Sequence, residues 1–415
     1  MNYMAAIQNA HQKMKAENKI VLNTRLEKSR KLSEKYEANI YLKREDNQPG
    51  RTFKIRGSFN YISKMSEEEK KKGCVTASDG NFALSLAIVA AHFQVKAHIF
   101  LPSVTLKHKI DNILRFGKEY VEVSLVEANY EETVEVAKKY SQEKGLKYFH
   151  SFDDESMIEG AGTIGQEIMK DLEGDFDYCF IPVGGGGLAA GVSFVIKQLS
   201  PDTKCIGLEP EGAPAMTEAF KAGHPVILDK ISRYCDGSAI RKVGDKPFEL
   251  CKKNLDELRL VPEGLISSTI LNLYDNGLIT EPAGAISIAG LELYKQEIKG
   301  KNIVCILSGG NTDLSRLDEF KEHSLLYEGL KYFFLITFPL RQGILREFIQ
   351  KCLGPNDEIS HIQFNKKPNR EHGPALIAIE VQKKENMIKI TDNMDQMNLK
   401  YKIINDQKDL YDLLV

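Results

Sequence analysis

From about residue 20 to residue 320, short apolar runs alternate with helical patterns, and no other feature of the 415-residue chain constrains its fold as strongly. Lys96-Ala97-His98-Ile99-Phe100-Leu101-Pro102 reads as one buried strand. Tyr178-Cys179-Phe180-Ile181-Pro182-Val183 reads as another and runs into glycines and an apolar helix. Cys205-Ile206-Gly207-Leu208-Glu209 and Asn302-Ile303-Val304-Cys305-Ile306-Leu307 repeat the pattern. Strands of this kind, each bounded by helices, predict an α/β protein with parallel sheets covered on both faces. Such sheets place ligand sites at the carboxyl ends of their strands.

After residue 325 the pattern changes. Phe333 to Phe338 predicts a strand, and Ile344, Leu345, Phe348, Ile349 and Cys352 form one stripe of a helix. Strands are expected near Glu358 to Asn365 and at Ala375 to Val381. A second helix places Ile390, Met394 and Met397 on one side, and Tyr401 to Ile404 is the last strand. That order, β-α-β-β-α-β, is the ferredoxin-like plait. The expected division is a large domain over 1–322, a connection over 323–330, a small α+β domain over 331–405 and a tail over 406–415.

Composition removes several function classes. A net charge of −2 gives no reason to expect nucleic acid or an anionic membrane as partner. No apolar run is long enough to span a bilayer, and Met1 to Lys19 is polar and mixed in charge, unlike a secretory signal. A cytoplasmic protein is expected. The seven cysteines are odd in number and form no C-x-x-C pair, which predicts buried, reduced thiols. The nine histidines show no metal-ligand spacing, so no metal site is expected.

Four loops carry candidate chemistry. Lys54, in Arg51-Thr52-Phe53-Lys54-Ile55-Arg56-Gly57-Ser58, stands where an apolar-then-charged segment gives way to a helical pattern. A lysine at a strand-to-helix junction can form a Schiff base with pyridoxal phosphate; beside arginines it can equally be solvated charge. Gly184-Gly185-Gly186-Gly187-Leu188 lies between a strand and a helix, where free backbone N–H groups can hold a phosphate; the plain alternative is a flexible turn. Ser78-Asp79-Gly80-Asn81-Phe82 opens an apolar helix whose N–H groups suit a carboxylate, although ordinary capping explains Ser78 or Asp79 as well. Ser308, in Leu307-Ser308-Gly309-Gly310-Asn311, ends a strand at the same expected edge.

Together these motifs, with Asp236-Gly237-Ser238-Ala239 and Glu281-Pro282-Ala283-Gly284, closely resemble the fold-type II pyridoxal phosphate enzymes, in the same order along the chain. Within that group the chain resembles the biosynthetic threonine dehydratases. Phe338-Pro339-Leu340-Arg341-Gln342-Gly343 and Leu353-Gly354-Pro355-Asn356-Asp357 resemble the single ACT-like regulatory domain of their short form. The resemblance implies a tryptophan synthase β-like catalytic domain of two parallel-sheet lobes, with pyridoxal 5'-phosphate as cofactor. It implies that Lys54 is the Schiff-base lysine and takes the Cα proton before the β-hydroxyl leaves, giving 2-oxobutanoate and ammonia from threonine, the first step toward isoleucine. It implies that Gly184, Gly185, Gly186, Gly187 and Leu188 cradle the phosphate, that Asn81 contacts the ring hydroxyl oxygen, and that Ser308 faces the pyridine nitrogen. It implies that Ser78, Asp79, Gly80, Asn81 and Phe82 meet the substrate. It further implies an isoleucine or valine effector on the small domain and a homo-oligomer, a tetramer.

The chain departs from the family's pattern where the substrate is expected. The family loop S-A-G-N-H-A-Q-G is here Ser78-Asp79-Gly80-Asn81-Phe82-Ala83-Leu84-Ser85, and Gln342 replaces a customary proline. A carboxylate at Asp79 would repel a substrate carboxylate by roughly 4 kcal/mol at about 4 Å and an effective dielectric near 20. Two other readings therefore stay open at this point. One is a related enzyme acting on a different amino acid by elimination, β-replacement or racemisation. The other is an idle, amino-acid-sensing subunit, against which the intact Lys54, glycine run and Ser308 argue.

Overall fold

The computed structural model describes residues 2–17, 19–78, 80–127, 130–172, 176–364 and 371–414. Asp79 and Asn365, named above, lie outside the described residues. The chain divides into two compact units, Met1–Asp313 and Leu314–Val415.

Among the described residues the first unit contains two sheets. The larger has the strand order Leu26–Lys28, Asn39–Arg44, Asn302–Leu307, Tyr178–Pro182, Lys204–Pro210, Glu257–Val261, parallel except at the Leu26–Lys28 edge. The smaller runs Val121–Val126, Ala97–Pro102, Cys74–Ala77, Lys147–Tyr148, all parallel. Every residue of Tyr178–Pro182 and of Cys74–Ala77 is buried, because helices cover both sheet faces and leave no polar side to alternate with. All four strand expectations in this unit are met within two residues. The seven cysteines are free and buried, as expected.

The second unit has one antiparallel sheet, in the order Glu358–Phe364, His372–Glu380, Lys331–Pro339, Lys400–Ile403. Helices Ile344–Cys352 and Lys384–Gln396 complete the ferredoxin-like order and pack Ile344, Phe348, Ile390 and Met394 against Phe334, Ile336 and Phe338. The stretch 323–330, expected as a connection, is largely the second half of a helix, Leu317–Tyr327. The expected tail 406–415 holds another helix, Lys408–Leu414. The reason is the other sheet face. Phe333, Leu376, Ala378 and Ile404 are buried there against Leu326, Leu410 and Tyr411. Lys331–Pro339 is apolar at nearly every position, so a sheet with one bare face would leave Phe333 and Leu335 in water. Lys331 pairs with Glu322 at 2.8 Å, and the Tyr411 hydroxyl donates to Glu322 at 3.0 Å, tying both added helices down.

Candidate active site

Lys54 opens the helix Lys54–Lys64, and the segment before it is held against the end of the strand Asn302–Leu307. The Phe53 N–H donates to the Ser308 carbonyl at 3.0 Å, and the Gly310 N–H donates to the Arg51 carbonyl at 2.9 Å. This short ribbon, bridged at Thr52 and Gly309, fixes Lys54 relative to Ser308 although 254 positions separate them. Arg51 takes φ +54°, and its guanidinium donates to the Ile279 carbonyl at 2.9 Å.

Below the surface the same helix is clamped by charge. Arg56 is fully buried and forks to two carboxylates, with Nε and Nη2 on Glu45 and Nη1 and Nη2 on Glu167, each at 2.7–2.8 Å. Lys43, also fully buried, pairs with Glu167 at 2.7 Å and donates to the Thr24 carbonyl at 2.7 Å. The Thr24 hydroxyl donates to Glu45 at 2.5 Å. The two cations offset the two anions, and the paired charges hold the Glu167 carboxyl below its usual range against the opposing effect of burial. The network joins the strand Asn39–Arg44, the Lys54 helix and the helix Glu155–Asp171.

Beside Lys54 opens a cavity of about 630 Å³. Its lining brings together Lys54, Ser78, Gly80, Asn81, Gly184, Gly185, Gly186, Gly187, Leu188 and Ser308. Phe82 is not among them: it is wholly buried, edge-on to Phe149 with ring centroids 4.7 Å apart, and belongs to the core. A residue one position into a helix points away from the groove that its neighbour faces, which a linear motif does not reveal.

The glycine run is sterically required. A Cβ on Gly185 would stand 2.1 Å from the Phe152 ring, and one on Gly184 would stand 2.8 Å from the Ser238 Cα. Gly186 has φ +92° and caps the helix Gly187–Leu199 without any side-chain hydrogen bond. The first turn of that helix therefore offers backbone N–H groups and the positive end of its dipole to the cavity. An amine at one wall, an uncapped glycine-rich helix start at another and a neutral hydroxyl at a third suit an aldehyde-bearing aromatic ring with a phosphate.

Four residues with no assigned role in the sequence reading also line the cavity or support it. Glu281 is buried, and burial raises its carboxyl to about 7, with Asp236 pushing the same way while Asn81, Lys54 and Lys109 oppose. Asp236 meets Lys109 at 2.9 Å. The His150 Nδ1 accepts the Asp153 N–H at 3.1 Å, and burial lowers this imidazole to about 4, so at neutral pH it is uncharged with its hydrogen on Nε2. Asn311 donates to Asn81 at 2.8 Å. Glu281 and Asn311 stand inside motifs already noted, but a glutamate before a helix-opening proline reads as a routine helix start.

Residues 18–309 match the family described as "Pyridoxal-phosphate dependent enzyme", and residues 322–414 match the "C-terminal regulatory domain of Threonine dehydratase". The biosynthetic L-threonine dehydratase of Halalkalibacterium halodurans is 47% identical over 397 residues, covering 95% of this chain and 96% of that protein. That of Bacillus subtilis is 42% identical, covering 98% and 96%. Among solved structures, the processed form of threonine deaminase isoform 2 from Solanum lycopersicum is 39% identical with a TM-score of 0.73, covering 78% of this chain and 92% of that one. Serine racemase from Dictyostelium discoideum is 29% identical with a TM-score of 0.68, covering 75% and 98%. The chain belongs to the pyridoxal-phosphate dependent enzymes and, among them, to the family of the biosynthetic L-threonine dehydratases. Its cofactor is pyridoxal 5'-phosphate, its fold is the fold-type II architecture, and its C-terminal unit is of the regulatory kind. Among the described residues no helix is long and apolar enough to cross a membrane.

Proposed function

We propose that this chain is an L-threonine ammonia-lyase that eliminates the β-hydroxyl of threonine to give 2-oxobutanoate and ammonia and so opens isoleucine biosynthesis. The observation that carries this reading is the convergence of Lys54, Asn81, Ser308 and the Gly184–Leu188 loop on one cavity. The names of relatives at 40–47% identity over nearly the whole chain support it. When bound, the cofactor supplies an electron sink that acidifies the substrate Cα–H and lets the β-substituent leave. Lys54 Nζ anchors the cofactor and then takes the Cα proton. The backbone N–H groups of Gly184 to Leu188 hold the phosphate. Ser308 meets the ring nitrogen through a neutral hydroxyl that does not fix a proton there. Asn81 donates to the phenolic oxygen, and Ser78 and Gly80 lie beside the substrate carboxylate. Phe82, placed in the core, does not reshape the cavity, so this departure from the family loop does not argue for another substrate.

The same reading extends to regulation and location. The small unit would bind isoleucine as inhibitor and valine as its antagonist, in a cytoplasmic homotetramer; the match of residues 322–414 to a regulatory domain supports the effector site. The test is release of 2-oxobutanoate and ammonia from L-threonine, with Lys54→Ala as control and with isoleucine added to the intact enzyme. Turnover lost in the control and suppressed by isoleucine is expected. A protein that holds its cofactor but leaves L-threonine untouched overturns the substrate assignment.

A further inference from the structure

Three motifs far apart in the chain meet in one line of hydrogen bonds whose polarity is fixed from one end. The Gly50 carbonyl can only accept, and Asn311 Nδ2 donates to it at 2.7 Å. Asn311 Nδ2 also donates to Asn81 Oδ1 at 2.8 Å, so Asn81 must turn its carbonyl toward Asn311. Its Nδ2 then faces Glu281 and donates to Oε1 at 2.7 Å. Asn81 Nδ2 carries a second hydrogen beyond the one given to Glu281, and Asn81 lines the cavity. Space is reserved for the carboxyl: a Cβ on Gly309 would lie 2.0 Å from Glu281 Oε1. Glu281 is 4% exposed and does not cap its own helix, so its side chain is committed to Asn81.

We propose that Glu281 is a positioning residue that, together with Asn311, holds the Asn81 amide so that the cavity is offered a hydrogen-bond donor and never an acceptor. This rests on the reading above that Asn81 meets the phenolic oxygen of the cofactor. The lock matters because an amide that rotates by 180° would turn its oxygen toward an oxygen of the cofactor. Glu281 acts through Asn81 and touches no reacting atom. Loss of the acceptor leaves a buried N–H unpaired, an effect that weakens cofactor binding by about tenfold.

The test compares wild type, Glu281→Ala, Glu281→Gln, Asn81→Ala and the double Asn81→Ala/Glu281→Ala. The readouts are the absorbance maximum of the bound cofactor and the dissociation constant for pyridoxal 5'-phosphate added back to apoprotein. Glu281→Ala should shift the band in the same direction as Asn81→Ala and weaken binding about tenfold. The double variant should be no worse than Asn81→Ala alone. Glu281→Gln, which keeps an oxygen acceptor, should restore the band and bind within about twofold of wild type. If Glu281→Ala does not fold, Glu281→Ser replaces it, its hydroxyl being too short to reach Asn81. Unchanged readouts in the truncated variant, additive effects in the double, or failure of Gln to rescue each overturn the proposal. None of these readouts depends on threonine being the substrate, so failure of that assignment, read from wild-type turnover, is separate.

Discussion

Removing Arg56 should cost more stability than any surface change, and the structure sets how much. Its guanidinium is wholly buried and neutralises Glu45 and Glu167 together, with Lys43 the only other buried cation in the described network. Arg56→Met therefore leaves two buried carboxylates facing one ammonium. Breaking a buried pair from one side costs about 3–5 kcal/mol. With an unfolding entropy of roughly 2.1 cal/mol/K per residue, the 313 residues of the first unit give about 0.66 kcal/mol/K, so its melting temperature should fall by about 5–8 °C. Thermal unfolding followed by circular dichroism at saturating cofactor measures this. The double variant Arg56→Met/Glu167→Met removes one charge of each sign and leaves Lys43 with Glu45. It should be less destabilised than the sum of its single variants by about 1–3 kcal/mol. A fall under about 2 °C for Arg56→Met, or strict additivity in the double, would refute the view that this network clamps the Lys54 helix.

Three further outcomes follow from particular contacts. Gly185→Ala should lose cofactor affinity by at least about tenfold while keeping its circular dichroism, because its Cβ would meet the Phe152 ring at 2.1 Å; retained affinity in a cofactor titration contradicts the cradle. Glu281, raised to about 7 from 4.5, stabilises the fold below about pH 4.5, and that contribution, about 3 kcal/mol, is lost as pH rises through 7. Melting of apo Glu281→Gln should accordingly depend less on pH between 5 and 8 than wild type does. Burial lifts the Cys74 and Cys205 thiols to about 12, so a thiol reagent should label the native protein far more slowly than the unfolded chain, and rapid native labelling of either would contradict their placement.

What was legible in the sequence was whatever rests on periodicity or on local steric need. Tyr178–Pro182 announced a strand buried on both faces because nothing polar interrupts it. The four glycines announced a close approach because only a residue without Cβ serves there, and Phe152 and Ser238 are the groups that require it. The helix Glu67–Lys72 is equally local in origin, because Ser66 and Glu69 stand three positions apart and close its capping box. The six elements of the small unit followed from their spacing. Its two added helices did not, although the clue was present: Lys331–Pro339 is apolar in consecutive positions, and such a strand needs cover on both faces.

Contacts between distant segments were not legible, because each partner alone has an ordinary local explanation. Arg56 looked like one more cation in a basic run, yet it is buried against carboxylates 11 and 111 positions away. Phe82 looked like an altered substrate contact, yet helix geometry turns it into the core while Asn81 faces the cavity. Glu281 looked like a helix start before a proline, yet it reaches Asn81 across 200 positions. Each case turns on which side chain occupies the space that a glycine or a helix turn leaves open, and that is decided only when the loops at the strand ends meet. Gly309 makes the point most directly: it is glycine because the Glu281 carboxyl fills the place of its Cβ, so one loop's backbone permits another loop's acid to hold a third loop's amide in position.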